Sequence, residues 1–334
     1  MASRAEKLNL FLRFDAGGLD GLGHTKRSIE LARELKKKFN VIICITEKSK
    51  KFISRNNFKF LFKKKNEKEE NYLLRISNKY KDPILYVDKN YQYSKKFLKI
   101  INKKYKQIFF YQNFSKGIQK QNIIIDPTPN INSSINLKEK FKQNRIYSGN
   151  KYLIVPKTTS IKKGNYLGIS LGGSDPKNIS IKLLKFLIKI KWRFSTYLFI
   201  GPFFKFKKEI NNLNLPKNIK IYQFNKKKFQ SSRLAICSPG VTAFELLAQN
   251  VFSLYISHTK RHFNLGNYIE KKFKFSKNLN VFNKVKINYF SNMLNYYWNN
   301  EKIIKKKVSN KKLNIFDNSC KNVLDVIINE TIKK

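Results

Sequence analysis

The chain has 334 residues, 70 of them Lys or Arg and 21 Asp or Glu, for a formal net charge of +49, a length that suits two domains with separate apolar cores. The lysines run through the whole chain instead of gathering in one segment, and no zinc-finger, RRM or KH signature accompanies them, so no specific nucleic-acid partner is expected. Lys, Asn, Ile, Phe and Tyr are all abundant, the bias that AT-rich coding produces, and a dispersed lysine surface keeps a chain soluble and attracts anionic substrates without specifying a fold.

The first element is an apolar run, Leu8 to Leu12, leading into Arg13-Phe-Asp-Ala-Gly-Gly-Leu-Asp-Gly-Leu-Gly-His24. Apolar residues at 29, 32, 35 and 39 then mark one face of a helix, so the unit reads strand, glycine-rich turn, helix. In open α/β sheets the loop after a strand faces the ligand crevice. Gly17, Gly18, Gly21 and Gly23 allow backbone angles closed to other residues and let a ligand come close. His24 sits at the first turn of the helix, whose positive end disfavours imidazolium. Two roles fit it: a neutral ring that accepts a proton from water or a hydroxyl group, or a helix cap that binds a phosphate.

The run R-F-D-A-G-G…G-L-G-H-x-x-R resembles the start of the UDP-sugar hydrolase family of the pseudaminic acid pathway and related spore-coat polysaccharide glycosyltransferase-like proteins. It is more loosely similar to the peptidoglycan UDP-GlcNAc transferase. The resemblance implies His24 as catalytic base, with Asp15 at the strand end as its companion. It also implies substrate contacts from Gly21, Gly23 and Arg27.

Val41 to Thr46 reads as a buried strand. Residues 47 to 70 are rich in Lys and Glu and read as a solvated loop or helix face. Pro83-Ile-Leu-Tyr-Val-Asp88 is a short strand ending in an aspartate, followed by Tyr91. The resemblance places Asp88 and Tyr91 in the cleft, whereas the residues alone also fit a turn aspartate and a surface tyrosine. Gln107 to Tyr111 and Asn122 to Ile125 are two more strands, the second ending in Asp126-Pro-Thr-Pro129. This alternation implies a parallel sheet with crossover helices. Residues 131 to 165 lose the rhythm, which puts the domain boundary near 150: residues 1–150 carry the histidine loop and residues 151–334 form a second Rossmann-like domain with C-terminal helices.

The second half opens with Tyr166 to Leu171, the turn Gly172-Gly-Ser-Asp-Pro-Lys-Asn178 and a helix with apolar residues at 179, 183, 184, 187 and 188. Gly172, Gly173 and Ser174 make an anion-binding corner of N–H groups and a hydroxyl; the same residues fit an ordinary turn with Ser174 as helix cap. The string matches the hydrolase family closely. Strands at 196–200 and 219–224 precede Leu234-Ala-Ile-Cys-Ser-Pro-Gly240-Val-Thr242-Ala-Phe-Glu245. In the resembling two-domain enzymes this corner binds a diphosphate through Gly240 and Thr242, and Glu245 takes the ribose hydroxyls. A plain capping turn, Thr242 with Glu245 three residues on, fits equally. Ser238-Pro-Gly-Val241 departs from the hydrolase pattern and stands nearer the peptidoglycan transferase. After the strand Val251 to Ile256, a loop carries His258 and His262. Relatives have a glutamine there that contacts the sugar; His262 and Asn267 are the candidates in this chain. Residues 268–334 read as helical and lysine-rich, suited also to touching an anionic membrane surface.

Cys44, Cys237 and Cys320 form no C-x-x-C pair, which argues for reduced thiols. The histidines lie far from the cysteines and there is no Asp-x-Asp, so no metal and no cofactor are expected. The N-terminal Met1–Lys7 lacks the apolar core of a secretion signal, and no stretch reaches the roughly 18 apolar residues that span a bilayer, so a cytoplasmic location is expected. Taken with the resemblance, the expected fold is α/β, two Rossmann-like domains facing across a cleft in the GT-B manner. The expected reaction is metal-independent hydrolysis of a UDP-linked acetamido sugar for surface-glycan biosynthesis, with GT-B glycosyl transfer from the same donor as the alternative. A basic nucleic-acid-binding protein without catalysis accounts for the charge but leaves the glycine corners without a role.

Overall fold

The computed structural model describes residues 7–16, 22–53, 57–128, 137–155, 161–307 and 318–332. The chain forms two compact units, one of Met1–Pro156 with Ile315–Lys334 and one of Lys157–Asn314.

The first unit runs β1 (Asn9–Arg13), α1 (Gly23–Leu35), β2 (Asn40–Thr46), α2 (Glu47–Lys50), β3 (Lys59–Lys63), α3 (Glu69–Ser77), β4 (Ile84–Val87), α4 (Lys95–Ile101), β5 (Gln107–Tyr111), β6 (Ile123–Asp126), α5 (Leu137–Lys140) and β7 (Arg145–Ser148). Its sheet is parallel, in the order β3-β2-β1-β4-β5-β6-β7. The strands read as continuous apolar runs because both faces are covered. Alternate residues serve each face: Leu10, Leu12, Ile43, Ile45, Tyr86 and Phe109 on one, Phe11, Ile42, Cys44, Leu85, Val87 and Phe110 on the other.

The second unit runs β8 (Leu167–Ser170), α6 (Ile179–Lys189), β9 (Thr196–Ile200), α7 (Lys207–Asn211), β10 (Ile219–Gln223), α8 (Lys226–Gln230), β11 (Leu234–Cys237), α9 (Val241–Ala248), β12 (Phe252–Ser257), α10 (Lys260–Phe273), β13 (Ser276–Val281) and α11 (Ile287–Lys307). Its sheet is also parallel, ordered β10-β9-β8-β11-β12-β13. In both sheets the strand order reverses beside the first strand of the unit, between β1 and β4 and between β8 and β11. A reversal of this kind opens a crevice at the carboxyl ends of the strands, where open α/β sheets bind ligands.

Three strands stand where the sequence reads otherwise. β3 lies in the stretch read as solvated: Lys59 and Lys63 flank Phe60-Leu-Phe62 on a half-buried edge strand, the charges that keep an edge from pairing further. β7 closes the opposite edge within the stretch that loses periodicity. β13, inside the segment read as helical, is a polar edge strand with a register shift opposite Tyr255/Ile256 and a positive φ at Asn280. The last helix, α12 (Ser319–Thr331), belongs to the first unit and not to the second: Cys320, Val323, Leu324, Val326 and Ile327 join the core that holds Leu10, Leu31 and Leu35. All three cysteines are buried and outside any disulfide.

Candidate functional site

In the first unit, β1 and β4 deliver the loop residues that meet at the strand-order reversal. α1 starts without a side-chain cap, and His24 is its second residue. Its Nδ1 lies 2.6 Å from Oδ1 of Asp88, the residue that follows β4. Arg27 grips the same carboxylate at both oxygens, with Nε 2.6 Å from Oδ2 and Nη2 on Oδ1. Ser28 Oγ donates to Oδ2 at 3.0 Å. Burial alone would raise the Asp88 carboxyl, but the Arg27 charge, then His24, hold it well below the usual carboxylate range. An ionised Asp88 only accepts, so His24 Nδ1 carries the hydrogen that it donates. The 3.1 Å approach of Arg27 Nη2 to Nδ1 is therefore two donors converging on one oxygen. In the neutral ring Nε2 is then the acceptor, on a side chain that is 23% exposed. An imidazole whose tautomer is fixed by a buried carboxylate and whose other nitrogen stays reachable is the arrangement of an oriented general base.

The structure brings His24, Arg27 and Asp88 together; it gives Asp15 a different neighbourhood. Arg13, 1% exposed, donates to Asp15 Oδ2 at 2.7 Å and clasps Glu69 with two bonds of 2.7 and 2.6 Å. Lys89 Nζ meets the same Asp15 oxygen at 2.6 Å, and Thr46 N donates to Oδ1 at 2.8 Å. Burial would raise Asp15, but Arg13 and then Lys89 outweigh it and hold the carboxylate well below its usual range. Asp15 thus ties the end of β1 to the start of α2 and to the residue after Asp88. Tyr91 packs its ring against Tyr93 at 4.8 Å, beside the core of α3 and α4. Gly23 opens α1, and Gly21 lies outside the described residues.

One further residue joins this group and escapes sequence reasoning. Gln112, directly after β5, has φ 51°. Its Oε1 accepts from Arg27 Nη1 at 2.6 Å and its Nε2 donates to Thr128 Oγ1 at 2.9 Å.

In the second unit the reversal lies between the Gly172–Asn178 and Ser238–Gly240 loops. Gly172 has φ 92°, which favours glycine, and a Cβ there would meet open space. Gly173 packs so closely on Gly201 that a Cβ at 201 would come within 2.3 Å of its carbonyl oxygen. Asp175, not Ser174, caps the helix: its carboxylate accepts from Ile179 N at 3.0 Å and Ser180 N at 2.7 Å. Thr242 does not cap α9 either. Gly240 holds the N-cap position with no side-chain bond, so the first N–H groups of α9 are uncapped. Glu245 is 1% exposed and forms an ion pair with Lys226 Nζ at 3.1 Å, without hydrogen-bond geometry at Oε1.

His258 follows β12 and reaches back to β8, with Nε2 3.0 Å from the Leu171 carbonyl and Nδ1 3.8 Å from Asp175 Oδ1. Its ring lies 5.9 Å from that of His262. Burial lowers both histidines; His262, further lowered by His258 and Arg261, falls to about 4. Asn267 turns elsewhere, accepting from Asn278 Nδ2 at 2.7 Å on the side of α10 that faces β13. At the carboxyl end of this sheet, Ser238 Oγ, Glu245 Oε1, Ser257 Oγ, His258 Nδ1 and His262 Nδ1 are all buried without a hydrogen-bond partner. Unpartnered buried polar atoms are rare in folded proteins, and several at one sheet end indicate a place for a polar ligand. Sequence reasoning did not single out Ser238, in the loop after β11, or Ser257, the last residue of β12. Among the described residues there is no group of three or more His, Cys, Asp or Glu that could hold a metal ion, and no helix long and apolar enough to cross a membrane.

No family model matches the chain. An uncharacterized protein of Methanocaldococcus jannaschii is 29% identical over 254 residues, 68% of this chain and 51% of that protein, so the chain spans about half the length of this relative. Among solved structures, a glycosyltransferase from Rickettsia africae matches with TM-score 0.66 at 14% identity, covering 98% of this chain and 100% of that one. Arabidopsis thaliana UGT89C1 complexed with UDP gives 0.65 at 12%, with 98% and 100% covered. MurG of Acinetobacter baumannii gives 0.61 at 11%, with 96% and 99% covered. The chain shares the fold of these proteins, the α/β two-domain fold of GT-B glycosyltransferases.

Proposed function

We propose that the chain is a glycosyltransferase that takes its sugar from a UDP-linked donor. The observation that carries this reading is the set of polar atoms buried without a hydrogen bond beside the uncapped start of α9, at the strand-order reversal of the second sheet. Uncapped N–H groups at a helix start suit a diphosphate, and fixed donors stabilise the charge that grows on UDP as it leaves. Gly172, Gly173, Ser174, Gly240 and Thr242 surround the phosphates in this reading, and His262 lies at the sugar end. Glu245 accepts from the ribose hydroxyls once Lys226 gives way. His24, oriented by Asp88, removes the proton of the attacking hydroxyl through Nε2, so that the anomeric carbon exchanges its bond to phosphate for one to the acceptor. Complexes with UDP among proteins of the same fold support the choice of nucleotide.

Hydrolysis of the donor is the second reading, favoured by the resemblance of the His24 loop and the Gly172–Pro176 string to the UDP-acetamido-sugar hydrolases of pseudaminic acid biosynthesis. The two differ only in whether water or a sugar or lipid hydroxyl attacks. The test is UDP binding by calorimetry, followed by UDP release from a panel of UDP-sugars with and without hydroxyl acceptors, for the wild type and His24→Ala. Release that requires an acceptor and disappears in His24→Ala supports transfer. Release without acceptor, lost in the same variant, supports hydrolysis. Absence of UDP binding overturns both.

A further inference from the structure

We infer that Gln112 is a positioning residue for the His24–Asp88 pair, acting through Arg27; this rests on the reading of His24 as the base. The argument starts from the sharing of Asp88. Oδ1 receives both His24 Nδ1 and Arg27 Nη2, while Oδ2 receives Arg27 Nε and Ser28 Oγ. The plane of the Arg27 guanidinium therefore decides how Oδ1 is presented to the ring. Arg27 is 6% exposed, so its protein neighbours set that plane. Its face lies over the Tyr111 ring, 4.8 Å from the centroid, which restrains tilt, while rotation within the plane is set by the bonds at the guanidinium edges. Nη1, the remaining corner, is held by Gln112 Oε1 at 2.6 Å. Gln112 is held in turn by its own Nε2 on Thr128 and by its backbone N–H on the Ile125 carbonyl at 3.0 Å. Thr128 N donates to Asp126 at 3.2 Å. The series from His24 to Thr128 thus runs along the carboxyl ends of β4, β5 and β6.

The backbone of Gln112 supports this assignment. A residue with φ 51° that carries a β-carbon sits in a left-handed conformation that glycine adopts without cost. Glycine has no side-chain amide to offer Arg27. The side chain is what the conformation preserves.

The test uses the full-length protein and reads the histidine rings directly. Nitrogen-15 spectra of the imidazoles resolve three histidines, and the His24 signals are assigned from their loss in His24→Ala. His24 is expected as a single Nδ1–H tautomer in the wild type. In Gln112→Leu it becomes a mixture while His258 and His262 keep their signals, and kcat falls about tenfold with KM little changed, as for a lost orienting contact. Gln112→Glu keeps an acceptor toward Arg27 and takes the Thr128 hydroxyl as donor, so it restores the single tautomer. Gln112→Gly, which relieves the backbone, keeps or raises the melting temperature and still loses the single tautomer. A single tautomer retained in both Gln112→Leu and Gln112→Gly overturns the inference, as does a large fall in melting temperature for Gln112→Gly. A tautomer that loosens in a protein that never releases UDP overturns the functional reading and leaves the positioning role standing.

Discussion

Among single residues, the carboxylates at the strand ends of the first sheet divide by their partners. Asp88 and Asp15 are both surrounded by guanidinium or ammonium groups and stay ionised. Asp126, at the end of β6, accepts from the Thr128 backbone N–H with no cation against it among the described residues, and burial pushes its carboxyl up to about 6. A carboxyl raised in the folded state stabilises the fold fully below the unfolded value, about 3.9, and loses that contribution as pH rises through the folded one. The window is pH 4 to 6, and the cost above it is about 3 kcal/mol. Asp126→Asn keeps an oxygen for Thr128 N and removes the charge. It is expected to melt several degrees above the wild type at pH 7.5 and at about the same temperature at pH 4, by calorimetry. His262, lowered to about 4, works in the opposite sense, since its contribution is present above the unfolded value, about 6.5, and is lost as pH falls through the folded one. Comparing variant and wild type at the same pH cancels that term.

The turns between strands and helices are where sequence reading succeeds and where it stops. Apolar runs of four to seven residues bounded by Gly, Pro or Asp identify the central strands, because both faces of each sheet are covered. The edge strand β10 keeps enough alternation to be read, but the edge strands β3, β7 and β13 escape, because an edge tolerates Lys, Asn and Tyr. His24 and Asp88 are legible as candidates since each ends a strand–loop unit, but their contact spans 64 residues and appears only in the fold. Gln112 is illegible for the same reason, and because positive φ leaves no mark when the residue is not glycine. The capping alternative fails at both glycine corners: Asp175 and an uncapped Gly240 stand where Ser174 and Thr242 fit the pattern. The bare end of α9 yields a prediction with two opposite signs. A Cβ at Gly240 meets nothing within 4 Å, and its φ of 171° suits any residue. Gly240→Asp should therefore cap the helix and add about 0.5 kcal/mol of stability, while its carboxylate occupies the N–H groups and repels a diphosphate. The expected result is an unchanged or slightly raised melting temperature with UDP binding lost, measured by thermal shift and calorimetry on one preparation.

For the whole molecule, the order of the chain and the order of its cores disagree. The first unit closes only with the last helix, although the entire second unit lies between. α12 contributes Val323, Leu324, Val326 and Ile327 to the core beside α1, four side chains exposed by 9% or less. At about 1.5–3 kcal/mol for each buried aliphatic side chain, α12 supplies on the order of 10 kcal/mol of apolar burial. A domain's net stability is about 5–15 kcal/mol, so the first unit is not expected to survive without it. The second unit has its own sheet and draws no strand from the remainder. Truncation after Asn314 should accordingly abolish one calorimetric transition and leave another, with exchange protection retained in β8, β9, β11 and β12 and lost in β1, β2, β4 and β5. Loss of protection throughout would mean that the two units fold only together. Protection retained in β1 and β4 would mean that α12 covers a core able to stand alone. In the expected case the His24–Asp88 pair, though written in the first hundred residues, forms only after the last helix has docked, and the truncated chain keeps UDP binding while losing every activity that depends on His24.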